Sequence, residues 1–342
     1  MSQPATPHGT PSFMAWPDLA SRALAGSVVC ANDELFAERE NLIKPEPPVF
    51  SLHQFGPKGK VYDGWETRRR REPGHDWAIV RLGVPGIVHG VVVDTAWFKG
   101  NYPPHISAEA VAVDGYPSPA ELEQVDWTTI LGKVAASGDT ANAYDVESAE
   151  RWTHIRLSIY PDGGVARFRV HGEPRPDPRF LCGTIDLIAL ENGGGLVECS
   201  DAFYSSPSNL ILPGRARSMG EGWENARRRG DGNDYAVFRL TGEGIVEHVE
   251  IDTSYFVGNA PGEVKLSGCQ SPGVNPDERA EWFDVVAKQR SQPDTRHRFL
   301  PDSEPERSFT HVRLDVYPDG GLSRLRVWGH LTEAALSRLS PG

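Results

Sequence analysis

An antiparallel β fold, present twice, is what this sequence predicts, and three observations predict it. Apolar and polar residues alternate with period two in short runs bounded by Gly and Pro. Helical periodicity is scarce. The chain also repeats itself: a shift of 158 residues lays 64–101 on 222–259 without a gap, with about half the positions identical. A unit of this length is a whole domain rather than a solenoid repeat. Many short strands with one solvated face each point to a β-sandwich or jelly roll, written twice in tandem.

The elements follow in chain order. Residues 1–17, rich in Pro and Thr, read as an N-terminal tail. The first repeat spans 18–173 and the second 186–330, with a Pro-rich linker at 174–185 and a C-terminal tail at 331–342. A shift of 168 aligns 18–43 on 186–211, and the drop to 158 leaves ten extra residues in the first copy between Lys44 and Gly64. Within each copy WAIVRL, IVHGVVVDT and ISAEAVAV read as separate strands. The best helix candidate is 121–134, beside short segments near Asp18 and Asp186. A shift of 157 aligns THIRLSIYPDGGVARFRVHG on THVRLDVYPDGGLSRLRVWG. Period two on both sides of Pro-Asp-Gly-Gly, where Arg167 and Arg169 alternate with Ala166, Phe168 and Val170, predicts a tight hairpin. The Gly193–Gly195 run precedes a strand pattern and reads as a loop.

Composition narrows the function classes. With 342 residues, 39% hydrophobic and 24% charged, the chain is long enough for two cored domains. No apolar run approaches the roughly 18 residues of a membrane span, and the start lacks the basic, then apolar pattern of a signal peptide. Cytoplasmic location is the expectation. A formal charge of −12 argues against a nucleic-acid partner. Cys30, Cys182, Cys199 and Cys269 form no CxxC pair and read as small buried thiols in a reducing compartment. No P-loop, strand-linked GxGxxG, GxSxG or HExxH occurs, and no local metal-ligand spacing is visible. No cofactor is therefore predicted, with a divalent metal assembled from distant loops left open.

The polar residues kept by both copies are the candidate site. GWETRRRR recurs as GWENARRR, and Asp94-Thr95 and Gly100-Asn101 recur as Asp252-Thr253 and Gly258-Asn259. Asp94 and Asp252 end apolar strands, where an Asp either caps its own turn or presents a carboxylate at a sandwich rim. Arginines 69–71 either pair with the surplus acids on the surface or form a bidentate fork for a small carboxylate. Glu66 can hold those arginines in place. Trp65 and Trp223 read as packing residues. Where the second copy has Asn233, the first has His75, beside Asp76, and imidazole suits proton transfer near neutral pH. The two copies are thus expected to carry unequal sites.

DGWETRRRR, GHDW, LGVPGIVHGVVVDTAWFKGNYP and the second-copy echoes GEGWENARRR, GNDY and EIDTSYFVGNAP resemble the allantoicase family over nearly the whole chain. The second copy departs from that pattern at Glu221, Asn225, Ala226 and Tyr235. The resemblance implies two tandem jelly-roll domains of the galactose-binding, discoidin-like kind, and hydrolysis of allantoate to ureidoglycolate and urea in purine catabolism. It also implies a small ureide as substrate and a homo-oligomer. On it, arginines Arg69, Arg70 and Arg71 take the substrate carboxylate. Asp94 or Asp76 activates water or binds the ureide, and His75 donates the proton. Glu66, Thr95, Asn101, Asp252 and Asn259 complete the substrate-binding set. Urea leaves either by direct displacement by water or through an acyl-iminium that water traps. The rival readings are a tandem carbohydrate- or small-ligand-binding module and an enzyme cleaving ureidoglycolate.

Overall fold

The computed structural model describes residues 11–50, 55–56, 59–60, 62–277 and 279–339. The chain divides into two compact units, Met1–Arg175 and Pro176–Gly342. Each is an antiparallel β-sandwich built the same way, so the all-β, tandem jelly-roll expectation holds.

In the first unit the main strands are β1 (Ser27–Ala31), β2 (Asp76–Asp94), β3 (His105–Val111), β4 (Thr128–Ala135), β5 (Ala141–Asp145), β6 (Arg151–Tyr160) and β7 (Arg167–Pro174). The second unit contributes β8 (Gly195–Cys199), β9 (Asp234–Asp252), β10 (Glu263–Cys269), β11 (Phe283–Arg290), β12 (Arg296–Phe299), β13 (Ser308–Tyr317) and β14 (Arg324–Leu331). The organising element is β2. WAIVRL and IVHGVVVDT are one continuous strand of 19 residues, not two. Its first part pairs with β1 and β6, its last part with β5 and β7, and the register slips between Arg81 and Gly86. Strands that switch partners through such an irregularity turn the corner between two layers. β9 repeats this with β8 and β13, then β12 and β14.

This arrangement corrects the hairpin. β6 and β7 both lie on β2 and do not pair with each other. Tyr160 ends beside the start of β2 and Arg167 begins beside its end, so Pro-Asp-Gly-Gly crosses between layers at the rim. Gly163 (φ 144°) and Gly320 (φ 131°) supply the positive φ that this crossing requires. The helix expected over 121–134 is also corrected. Only Pro119–Leu122 is helical (α1), closed by a Ser118/Glu121 capping box. From Thr128 onward the β-branched residues join β4, which pairs with β3.

The cores are the inward faces of these strands. Trp65 and Trp223 are fully buried, and each donates its indole N–H to a carbonyl, of Asp33 at 2.8 Å and of Asp201 at 2.9 Å. Near the N-terminus, Ser12–Ala15 forms a 3-10 turn that buries Phe13, and near the C-terminus Glu333–Leu339 forms α2. All four cysteines are free, Cys269 buried and Cys182 exposed rather than buried.

Candidate active site

The repeated motifs converge at the rim where β2 begins and ends. Main-chain bonds join Thr67 N–H to Gly163 O (3.1 Å), Gly164 N–H to Asn101 O (2.8 Å) and Ala166 N–H to Asp94 O (2.7 Å). The Arg70 N–H donates to Asp162 Oδ2 at 2.8 Å. The second unit repeats three of these four bonds, with Gly321 N–H to Asn259 O (2.8 Å), Ser323 N–H to Asp252 O (2.7 Å) and Arg228 N–H to Asp319 Oδ2 (2.7 Å). Loops from strands far apart in sequence are therefore pinned to one another, and the duplicated polar residues are largely the pins.

Each candidate residue has a definite place. Asn101 donates to Glu66 Oε1 at 2.6 Å, as Asn259 does to Glu224 at 2.7 Å. Burial pushes the Glu66 carboxyl above its ordinary range. Asp94 accepts the Ala96 N–H of its own turn at 2.8 Å, and burial raises its pKa. Asp252, buried, accepts Ser254 N–H at 2.9 Å and its hydroxyl. Thr95 is buried and donates its hydroxyl to loop carbonyls of Ser137 (2.7 Å) and Thr140 (3.0 Å). The arginines separate. Arg68 pairs with Asp33, and Arg70 reaches the buried Asp76 Oδ1 at 2.6 Å. Arg69 and Arg71 are exposed, with no ion pair or hydrogen bond among the described residues.

Arg70 and His75 line a cleft of about 550 Å³ on the outer face of β2, β6 and β3. His75 lies over the Tyr160 ring, centroids 4.6 Å apart, and its ring nitrogens have no hydrogen-bond partner among the described residues. Burial, then the nearby Arg156 cation, lowers its pKa, which favours the neutral imidazole. Lys133 Nζ lies 4.2 Å from the Tyr160 ring centroid, and Tyr160 Oη is 3.0 Å from Ser107 Oγ. Across the floor, Arg156 pairs with Glu109 at 2.7 Å. Ser158, between Trp77 and Ser107 in register, has a buried hydroxyl without a partner.

The matching region of the second unit is closed by its own charges. Asp315 replaces Ser158 and takes Arg313 at 2.9 Å and Asn233, the counterpart of His75, at 2.8 Å. Arg313 also covers the Tyr235 ring at 3.9 Å. Sequence reasoning missed Arg156, Glu109, Lys133 and Tyr160, whose strands are remote from the GWE motif. The Ser158/Asp315 exchange inside an otherwise duplicated strand was the available signal. Among the described residues, no group of three or more His, Cys, Asp or Glu side chains could hold a metal ion.

Such a molecule is a duplicated jelly-roll β-sandwich protein, with one rim pattern in both units and a His75 cleft in the first that the second occupies with its own charges. The family model described as the allantoicase repeat matches it twice, at residues 17–175 and 185–332. A probable allantoicase of Nocardia farcinica is 53% identical over 322 residues, 93% of this chain and 95% of that one. The allantoicase of Dictyostelium discoideum is 41% identical, covering 91% and 86% of the two chains. The crystal structure of allantoicase from Saccharomyces cerevisiae superposes with a TM-score of 0.79 at 36% identity, covering 92% of this chain and 93% of that one. The chain belongs to the allantoicase family.

Proposed function

We propose that this chain hydrolyses allantoate to ureidoglycolate and urea, a step of purine catabolism, and that the His75 cleft of the first unit is where it does so. Family membership across both repeats supports the reaction. The observation that carries the site is the His75 imidazole, unbonded among the described residues and set beside cationic and carboxylate side chains, in one unit only. Allantoate is a carboxylate whose neighbouring carbon bears two ureido groups. Lys133 and Arg156 offer cations for the carboxylate, and Glu109, Ser107 and Ser158 offer partners for ureido N–H and C=O groups.

His75 then moves the proton. The neutral ring takes a proton from the attacking water as its oxygen bonds to the N–C–N carbon. The resulting imidazolium gives that proton to the departing nitrogen as the C–N bond breaks. Arg70 stands beside the imidazole, held by Asp76. Help of this kind is worth roughly 10²–10⁴-fold in rate.

Free thiols, one of them exposed, support a reducing, cytoplasmic setting. No described helix is long and apolar enough to cross a membrane. Assembly as a symmetric homo-oligomer is the common state of soluble enzymes and part of this reading, and light scattering measures it. Incubating the pure protein with allantoate and following urea tests the reaction. Steady release is expected. Silence with allantoate but release from ureidoglycolate would reassign the substrate.

A further inference from the structure

On the second unit, the sheet face of β12, β9 and β14 carries charge in cross-strand rows. Register places Arg296, Asp252 and Arg324 side by side, then Arg298, Glu250 and Arg326. Side chains so paired are close enough to interact directly. Glu250 takes both Arg296 (3.2 Å) and Arg298 (3.4 Å), and Arg326 lies 3.4 Å from Asp186. A cavity of about 510 Å³ opens over this face, walled at one end by His248 and Trp328. With Arg215 and Glu191 it is lined by five arginines against four carboxylates.

Arg324 is the arginine of this face without a direct ion pair, although Asp252 and Glu221 are near enough to act on it. It is 4% exposed and donates to the carbonyls of Gly214 (3.2 Å), Glu221 (2.7 Å) and Ser323 (2.7 Å). Among the described residues its Nη2 has no partner, and no carboxylate forms an ion pair with it. Burial, then Arg326, pulls its pKa down to about 10, so it is still charged at neutral pH.

The first unit solves the same problem internally. There Arg167 sits at the position of Arg324, and its Nη2 pairs with Asp63 Oδ2 at 2.7 Å. Glu221 occupies the place of Asp63, but its carboxylate turns to Arg217 at 2.7 Å and leaves only its carbonyl for Arg324. The rest of the first face keeps Asp94 and the Arg169–Asp18 pair (3.3 Å) but loses its other charges and is covered. Val92 stands for Glu250, and Ala141 and Ala143 for Arg296 and Arg298. Gly90 stands for His248, and Phe13 presses so closely there that an added Cβ would lie 2.3 Å from its ring.

We propose that the second-unit cavity is a binding site for a small carboxylate anion, held by the free edge of Arg324 with Arg296 and Arg298 beside it. The site is independent of the His75 cleft, and urea release plays no part in its test. Calorimetric titration of the full chain with oxalate is expected to show saturable binding at the second unit. Glu221→Asp supplies Arg324 with the internal partner that Arg167 has, and is expected to weaken oxalate at least tenfold without lowering the melting temperature. Arg324→Lys is expected to weaken it similarly. Absence of binding, or equal affinity in wild type, Glu221→Asp and Arg324→Lys, overturns the proposal. So does loss of oxalate binding in Lys133→Met with binding kept in both second-unit variants, which would put the anion in the other cleft, where Lys133 is a cation for a carboxylate. Sulfate binding as tightly, with the same response to both second-unit variants, overturns the carboxylate assignment.

Discussion

His75 lies over Tyr160 with its ring nitrogens unbonded, while Asn233, at the same place in the second unit, is tied to Asp315. The opposite contrast holds on the other face, where Arg167 makes a direct ion pair with Asp63 and Arg324 has none, with Asp252 and Glu221 acting on it only from a distance. The bonds that shape the rim are shared by both units: indole to loop carbonyl, Asn to Glu, Arg to strand-start Asp, Thr to loop carbonyls. Divergence lies in cross-strand neighbours on the two outer faces. Duplication has preserved the scaffold and freed each copy to lose or gain a charge where the sheet meets solvent.

The largest expected effect tests the cleft contrast. His75→Asn, which copies the second unit, should lower kcat for urea release by about 10²–10⁴-fold with little change in melting temperature. Asn233→His should leave kcat unchanged. Equal, small losses from both would remove His75 from the mechanism and make the units equivalent.

The arginine contrast comes next. Arg167→Met breaks a buried pair and should cost about 3 kcal/mol, the low end for such changes, because Lys44 also reaches Asp63 at 3.2 Å. Arg324→Met removes a buried charge that has no direct ion pair, so relief of its desolvation offsets much of its three lost carbonyl bonds and the net cost should be smaller, about 1 kcal/mol. Calorimetric unfolding measures both, and equal costs would mean that Arg324 is as well matched as Arg167.

A third test uses acid. His154 is buried, with Nδ1 on the Thr153 hydroxyl, and burial, then Arg81, lowers its pKa to about 4. A depressed histidine favours the folded state most above pH 6.5, and that stability is lost as pH falls from 6.5 towards 4. The loss at this site is on the order of 2–3 kcal/mol. His311 is lowered in the same direction but has a second partner in the Val274 carbonyl. Stability measured from pH 7 to 4.5 should flatten more in His154→Asn than in His311→Asn.

The smallest effect concerns the turn aspartates. Asp94→Ala removes one bond to Ala96 N–H and should cost about 1 kcal/mol. Asp252→Ala removes two, to Ser254, from a more buried site and should cost more. Melting temperatures of the pair decide it.

Much of this was legible beforehand. Period-two runs, the 158-residue shift and the GWE, DT and GN frames were enough for the β class, the tandem repeat and the family. Trp65 and Trp223 behave as packing residues, and the asymmetry at His75 and Asn233 marks the cleft that differs. The helix at 121–134 failed because Thr128, Thr129 and Leu131 pair with β3, a partner outside the local window. The hairpin failed for a related reason: the turn chemistry was right, but both flanking strands had a better neighbour in β2.

Alternation along a strand tells which side chains share a face, and duplication tells which were kept. Those two signals, both local or linear, were determined by the sequence itself. Which charge meets which was decided only by the tertiary structure, because cross-strand partners such as Arg156 and Glu109, or Arg324 and Asp252, come from distant segments whose register is set by the bend of one long strand. A shift of one residue in that register would send every one of these side chains to the opposite face.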